Sequence, residues 1–349
     1  MTIAVHFSSS EDFYFHCFTA MIQQQPETKF IFISSDFALL KSFTFPNVKT
    51  YTIGSALKNI VLKKYWHNRA INAVLKKENP DFFFGTYGIS PLTSISQNII
   101  YLENESSFDD NTFKQSISKW SSVIVPNEYV KAKFVESFPD SASDIIKLPK
   151  GSHTIPSLDK YAVGTIKKKL VGDKAYFFVD ASEASEPIII QALQSFSAFK
   201  KWQHSSFNLI LICHNNQVNR ISDKLTSYKY RDDVCILSGS DNNDIYDLMS
   251  EAYAIIFLCP KNNISKRMAY SYITNVPLLI EESKYHESSF GNSVLFYSLN
   301  NLSEKMILIY KNENLRNDLI LKAAEQGKEL TWDKISSNLW ATISKKLEK

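Results

Sequence analysis

Residues 254–280 read AIIFLCPKNNISKRMAYSYITNVPLLI and gather side chains suited to an anionic, hydroxylated ligand. Lys261, Lys266 and Arg267 carry charge that could neutralise a phosphate at a helix start. Asn262 and Asn263 can donate to and accept from hydroxyl groups, and Tyr270 offers a phenol. The same residues would equally serve as a solvated basic loop. Three other places carry candidate chemistry. Ser8, Ser9 and Ser10 follow the first apolar run and could hold a phosphate where a helix begins. Glu103 and Glu105 flank Asn104 in an acidic loop; either could orient a hydroxyl as a general base, or simply decorate the loop. Ser182 ends another apolar run.

Metal chemistry finds little support in the spacing. The seven histidines form no HExxH pair. Cys17, Cys213, Cys235 and Cys259 are far apart, without a CxxC, and read as reduced buried thiols. No metal or other cofactor is expected.

The elements that must position these groups follow from the pattern of apolar runs. The chain has 349 residues, enough for two domains of roughly 150 residues each. Apolar runs near 2–7, 29–33, 48–52, 81–84, 98–102, 122–125 and 144–148 read as strands, with helices between them, the longest over 55–78. Residues 149–173 break the pattern with prolines, glycines and scattered lysines. A second series then places strands near 175–180, 207–213, 234–238, 254–258, 277–280 and 293–297. Helices are expected at 187–203, 216–227, 242–251 and 264–274, and then over 301–326 and 333–347. Strands alternating with helices predict an α/β class with parallel sheets covered on both faces. The expected division is 1–150, a linker 151–173, a second domain 174–330 and a closing helix 331–349. Only 9 residues are glycine, so few backbone positions can approach a phosphate closely. The net charge of +3 sets up no field that calls for nucleic acid.

Several segments, in order, resemble one large family. They are YFFVDASEASEPIIIQALQSFSAFKK at 176–201, FNLILIC at 207–213, the run from Val234 to Gly239 with DIYDLMSEAYAIIFLCP, and NVPLLIEESKYHESSFGNSVLFY at 275–297. The last holds Glu287 and Gly291 in a Glu-x-x-x-Gly loop. LRNDLILKAAEQGKELTWDKIS at 315–336 resembles the family's closing helices, and WSSVIVPNEYVKAKFVE at 120–136 a segment of its first domain. The family is the retaining, nucleotide-sugar-dependent group 1 glycosyltransferases. The resemblance covers most of 98–348. It implies a GT-B architecture: two Rossmann-like domains facing a cleft, with the final helix crossing back to the first. It also implies a nucleotide-diphospho-sugar donor held by the second domain through Asn262, Asn263, Lys266, Arg267, Tyr270, Ser182 and Glu287. A glycan or lipid-linked acceptor would lie against the first domain.

The chain departs from that pattern at three places. The family's two diphosphate cations fall here on Asp180-Ala181-Ser182 and Glu186-Pro187, and neither is present. At an effective dielectric of ~20, charges ~4 Å apart interact by about 4 kcal/mol, so Glu183 and Glu186 would repel a diphosphate. Ser185, Glu186 and Pro187 also make a good helix start on their own, Ser as cap. The family's two loop glutamates fall on Asn262 or Asn263 and on Tyr270. Its first-domain histidine falls in the loop of Glu103 and Glu105. Two readings follow: an active transferase with rearranged donor contacts, or a pseudo-glycosyltransferase that binds or scaffolds for an active partner.

Residues 57–77 carry Lys58, Lys63, Lys64, Arg69, Lys76 and Lys77 with no acid among them. With Trp66 this basic amphipathic helix could lie on an anionic membrane surface, or simply cover a sheet. No apolar run reaches the ~18 residues of a membrane span. The first apolar run is short and reads as a strand, not a leader. The expected location is the cytoplasm, peripheral at the inner face of the membrane.

Overall fold

In a computed structural model, residues 1–347 are described except 8, 10–12, 55–59, 87, 96, 153–159, 205 and 240–242, together with side chains outside 60–64, 160–165 and 243. The chain divides into two compact units, Met1–Gly151 with Leu330–Lys349, and Ser152–Glu329.

The first unit holds β1 (Thr2–His6), β2 (Lys29–Ser34), β3 (Val48–Thr52), β4 (Phe82–Gly85), β5 (Gln97–Tyr101), β6 (Ser122–Val125) and β7 (Asp144–Lys147). They form one parallel sheet in the order β3-β2-β1-β4-β5-β6-β7. The central strands are buried on both faces, as KFIFIS and FFFG require, while β3 and β7 at the edges are half exposed. The closing helix Trp332–Leu347 belongs to this unit. Ile335, Leu339 and Ile343, spaced every four residues, are wholly buried and pack with the helix Phe13–Gln24. Such side chains stabilise by about 1.5–3 kcal/mol each when fully buried, so the helix is part of the unit's core. Gly151 lies beneath this helix: a Cβ there would stand 2.5 Å from the Trp332 ring.

The second unit holds β8 (Tyr176–Ala181), β9 (Asn208–Cys213), β10 (Val234–Ser238), β11 (Ala254–Phe257), β12 (Leu278–Glu281) and β13 (Leu295–Tyr297). All are parallel, in the order β10-β9-β8-β11-β12-β13. Its core joins the inner face of helix Glu186–Gln203 (Ile189, Leu193, Phe196) to alternate residues of β8, β9 and β11.

Several local expectations change. The stretch expected as a linker contains the helix Lys160–Val171. The long helix expected at 301–326 is two helices, Leu302–Lys311 and Glu313–Glu329, because Asn312 interrupts it. The Asn312 amide donates to Leu308 O at 3.0 Å and its side chain accepts from Leu315 N at 2.9 Å, ending one helix and capping the next. Ser185 stands at the start of Glu186–Gln203 with extended backbone, but its hydroxyl makes no capping bond; the proline and the acid carry that helix start. The short helices Phe37–Lys41 and Lys284–Phe290 escape a reading based on periodicity. Their Asp36 and Ser283 side chains cap them.

Candidate functional site

In each sheet the strand order reverses once, between β1 and β4 and between β8 and β11. Crevices at the carboxyl ends of such strands are where open α/β sheets bind ligands. In the second unit that place is occupied by a buried ion pair. Asp180, in β8, is 4% exposed and Arg267 is 8% exposed. Arg267 Nε donates to Asp180 Oδ2 at 2.7 Å, and Nη2 reaches Asp180 Oδ1 at 3.4 Å and Ser182 Oγ at 2.7 Å. Nη1 donates to the Gly239 carbonyl, just past β10, at 3.2 Å. Ser182 in turn donates from Oγ and N to Asp180 Oδ1, at 2.6 and 3.1 Å. One guanidinium thus ties the carboxyl ends of β8 and β10 to the helix Lys266–Ser271 that carries it.

That helix is capped by Ser265, whose Oγ accepts from Met268 N at 3.1 Å. Its sequence would put Arg267 in a solvated loop, yet Arg267 points inward. Tyr270 is also buried, edge-on to Tyr246 with centroids 4.7 Å apart. Burial, with Asp247 nearby, pushes its phenol up to about 12, so it stays a neutral donor. Lys266, Asn262 and Asn263 remain half-buried at the rim. The loop bearing the two asparagines is held from below by His286, a residue the sequence did not single out. His286 is wholly buried, with Nδ1 2.8 Å from Glu281 O and Nε2 3.1 Å from Asn263 O. Lys261 pairs with Glu281 at 3.0 Å, and Ser283 Oγ donates to Lys261 O. Cys259 lies beneath. Burial first, then the carboxylates of Glu183, Asp180 and Glu281, raises its thiol well above the usual range and leaves it unreactive. Glu287 is half-buried and 3.4 Å from Lys284 Nζ. Gly291, which ends that helix, has φ 54° and ψ −126°, a conformation that favours glycine.

In the first unit, Glu103 and Glu105 both have partners. Lys150 Nζ is 2.8 Å from Glu103 Oε1. Tyr129 donates to Glu105 Oε2 at 2.6 Å, and this bond raises the tyrosine's pKa. Of the serine loop, Ser9 is exposed, and Ser8 and Ser10 lie outside the described residues. At the switch point of this sheet stands a histidine pair. His6 Nδ1 lies 2.9 Å from Thr86 Oγ1, and His6 Nε2 lies 3.2 Å from His67 Nε2. Burial, with His67 beside it, lowers the pKa of His6 to about 3. Among the described residues no three His, Cys, Asp or Glu side chains cluster as metal ligands do.

The helix Ile60–Glu78 buries Ile71 and Leu75 and turns Tyr65 (67% exposed) and Trp66 (42% exposed) outward, beside exposed Arg69, Lys76 and Lys77. Lys58 lies outside the described residues, as do the Lys63 and Lys64 side chains. No described helix is long and apolar enough to cross a membrane.

No family pattern matches the sequence, and no curated protein matches it. Solved structures do match. A glycosyltransferase from Rickettsia africae is similar over 100% of this chain and 98% of its own, with a TM-score of 0.76 and 13% identity. The Anabaena protein HepE, solved with UDP, is similar over 99% of this chain and 100% of its own (TM-score 0.72, 11% identity). WaaG, a glycosyltransferase involved in lipopolysaccharide biosynthesis, is similar over 97% and 98% (TM-score 0.68, 10% identity). The fold is GT-B. In this GT-B chain the two Rossmann-like units carry sheets of seven and six parallel strands, and the closing helix sits in the first unit, as the resemblance implies.

Proposed function

We propose that this GT-B chain is a group 1 type glycosyltransferase. It would take a sugar from a nucleotide-diphospho-sugar at the second unit and pass it, with retention, to a glycan or lipid-linked acceptor. The supporting observation is the end-to-end match with two structures named as glycosyltransferases and with a third, HepE, solved with UDP. In this reading the donor meets the carboxyl edge of β8, β11 and β12. Ser182 and the rim residues Asn262, Asn263 and Lys266 offer hydrogen bonds, and Glu287 offers an acceptor. Glu103 and Glu105 remain the first-unit carboxylates proposed to face the acceptor hydroxyl, and no resident metal is assigned a role.

A second reading, a pseudo-glycosyltransferase that binds or scaffolds for an active partner, draws on one specific observation. The charge of Arg267 is matched by Asp180, so it offers little net attraction to a diphosphate. Calorimetry with UDP, GDP and their sugars separates the two. Micromolar binding, weakened in Lys266→Ala while thermal stability holds, supports the transferase. The absence of binding to any of them removes it for those donors. Arg267→Ala is less informative, because it leaves Asp180 buried and unpaired.

We further propose that the outward face of Ile60–Glu78 meets an anionic membrane surface on the cytoplasmic side. Tyr65 and Trp66 would enter the interface while Arg69, Lys76 and Lys77 meet headgroups. Sedimentation with phosphatidylglycerol vesicles, compared with phosphatidylcholine, tests it. Binding that ignores lipid charge, or survives Trp66→Ala combined with Arg69→Ala, counts against it.

A further inference from the structure

We propose that a cavity at the amino end of the first unit's sheet binds a neutral, polyhydroxylated ligand, a segment of glycan. The cavity, about 440 Å³, lies where the 3-10 turn Ile117–Lys119 leads into β6 and where residues 137–143 lead into β7. This is the edge of the sheet opposite His6, Glu103 and Ser9. Its volume falls within the roughly 300–1,000 Å³ of small-ligand sites.

The lining decides the ligand class. Five serines contribute: Ser118, Ser121, Ser137, Ser141 and Ser143. The lining includes one carboxylate, Asp140, and no Lys, Arg or His. A phosphorylated or carboxylated ligand would meet only like charge. A purely apolar ligand would displace water from the serine oxygens and return no hydrogen bonds. What fits is a neutral molecule rich in hydroxyl donors.

The serines are already oriented for such a partner. Ser143 Oγ donates to Trp120 O at 2.6 Å and Ser121 Oγ donates to Asn98 O at 2.9 Å. Ser141 Oγ donates to Ser143 Oγ at 3.1 Å. Their protons are used within the protein; Ser141 Oγ also accepts from Ser143 N at 3.3 Å and Ser143 Oγ from Ser141, so the remaining lone pairs, with Asp140, are the acceptors on offer. A sugar supplies the matching donors. It also supplies a face of C–H groups for the apolar floor, formed by half-buried Phe138 and buried Trp120. Phe138 is held by ring contacts with Phe108, Phe113 and Phe134, at 5.9, 5.5 and 5.3 Å between centroids. A fixed ring with satisfied neighbours gives a stacking surface that need not be ordered on binding.

This site stands apart from nucleotide binding, and the test keeps them separate. Maltotriose, cellotriose and chitotriose are titrated into the full chain, with glucose 6-phosphate as the anionic control, and amide shifts or tryptophan fluorescence report binding. At least one neutral trisaccharide is expected to saturate in the millimolar range, shifting residues 117–121 and 137–143. Ala142→Trp places a bulky ring at the cavity from an exposed position and should weaken binding at least tenfold. Asp140→Ala should weaken it about threefold. Both variants should unfold at the wild-type temperature and keep the wild-type response to UDP. The proposal is overturned if no neutral trisaccharide binds, if neither substitution weakens binding, or if the sugar phosphate binds there as well as the neutral sugars.

Discussion

The two switch points of this chain share a topology and differ in chemistry. Between β1 and β4 the first unit sets a neutral imidazole, His6, beside His67 and fastened by Thr86. Between β8 and β11 the second unit sets an ion pair, Asp180 and Arg267, fastened by Ser182 and Gly239. A neutral imidazole can exchange one hydrogen-bond partner for another at little cost. A buried guanidinium cannot, because the carboxylate that balances it would be left in a low-dielectric interior. The first arrangement leaves its switch point adaptable to a ligand, and the second fixes its own.

The largest test of that contrast removes one ion. Arg267→Ala should destabilise the second unit by about 3–5 kcal/mol, whereas the double change Asp180→Leu with Arg267→Met should be far closer to neutral. Urea unfolding measures both, and equal losses in the single and the double variant would show that the pair contributes by packing rather than by charge balance.

The next test uses pH and reads the histidine site. The folded pKa of His6, about 3, lies below its ordinary 6.5. The unfolded chain therefore binds the extra proton first as pH falls. The contribution is fully present above pH 6.5 and is lost as pH falls toward 3, at no more than about 1.4 kcal/mol per pH unit. Unfolding midpoints from pH 7 to 4 should show this slope, and His6→Gln should flatten it. An unchanged slope would mean that His6 is not held neutral.

A smaller and sharper comparison removes the fastening hydroxyls. Ser182→Ala breaks hydrogen bonds to ionised partners, worth about 1.5–3 kcal/mol, while Thr86→Val breaks one to a neutral ring, worth about 0.5–1.5 kcal/mol. If Thr86→Val proves the costlier, the assignment of one site as ionic and the other as adaptable fails.

A last comparison lies at Glu78, whose side chain is 6% exposed between half-exposed Lys29 and Lys49. Glu78, with Lys49, Tyr51 and Lys29 around it, is held at about 2, below its ordinary 4.5. Its contribution is present above pH 4.5 and is lost as pH falls toward 2. Glu78→Gln should shrink the loss of stability over that window without touching the His6 slope.

What the sequence determined by itself was the architecture. Runs such as KFIFIS, FFFG, YFFVDA and NLILIC are apolar at successive positions, which suits strands covered on both faces, and polar helices separate them at regular intervals. Backbone hydrogen bonding and burial act on neighbours along the chain, so these elements and the α/β class were legible, and the GT-B reading came from the resemblance of ordered segments to one family. The return of the closing helix was an implication of that resemblance; the buried stripe Ile335, Leu339 and Ile343 that carries it is seen only in the structure. The pairings at the sites were not. Arg267 meets Asp180 across 87 positions, His6 meets His67 across 61, and Lys150 meets Glu103 across 47. Each pairing depends on which strands become neighbours and which way a short helix turns its side chains. From the sequence, Arg267 is a loop cation available to a phosphate. Only the packing of helix Lys266–Ser271 on the ends of β8 and β10 turns it inward, where the low dielectric makes Asp180 the partner it must keep.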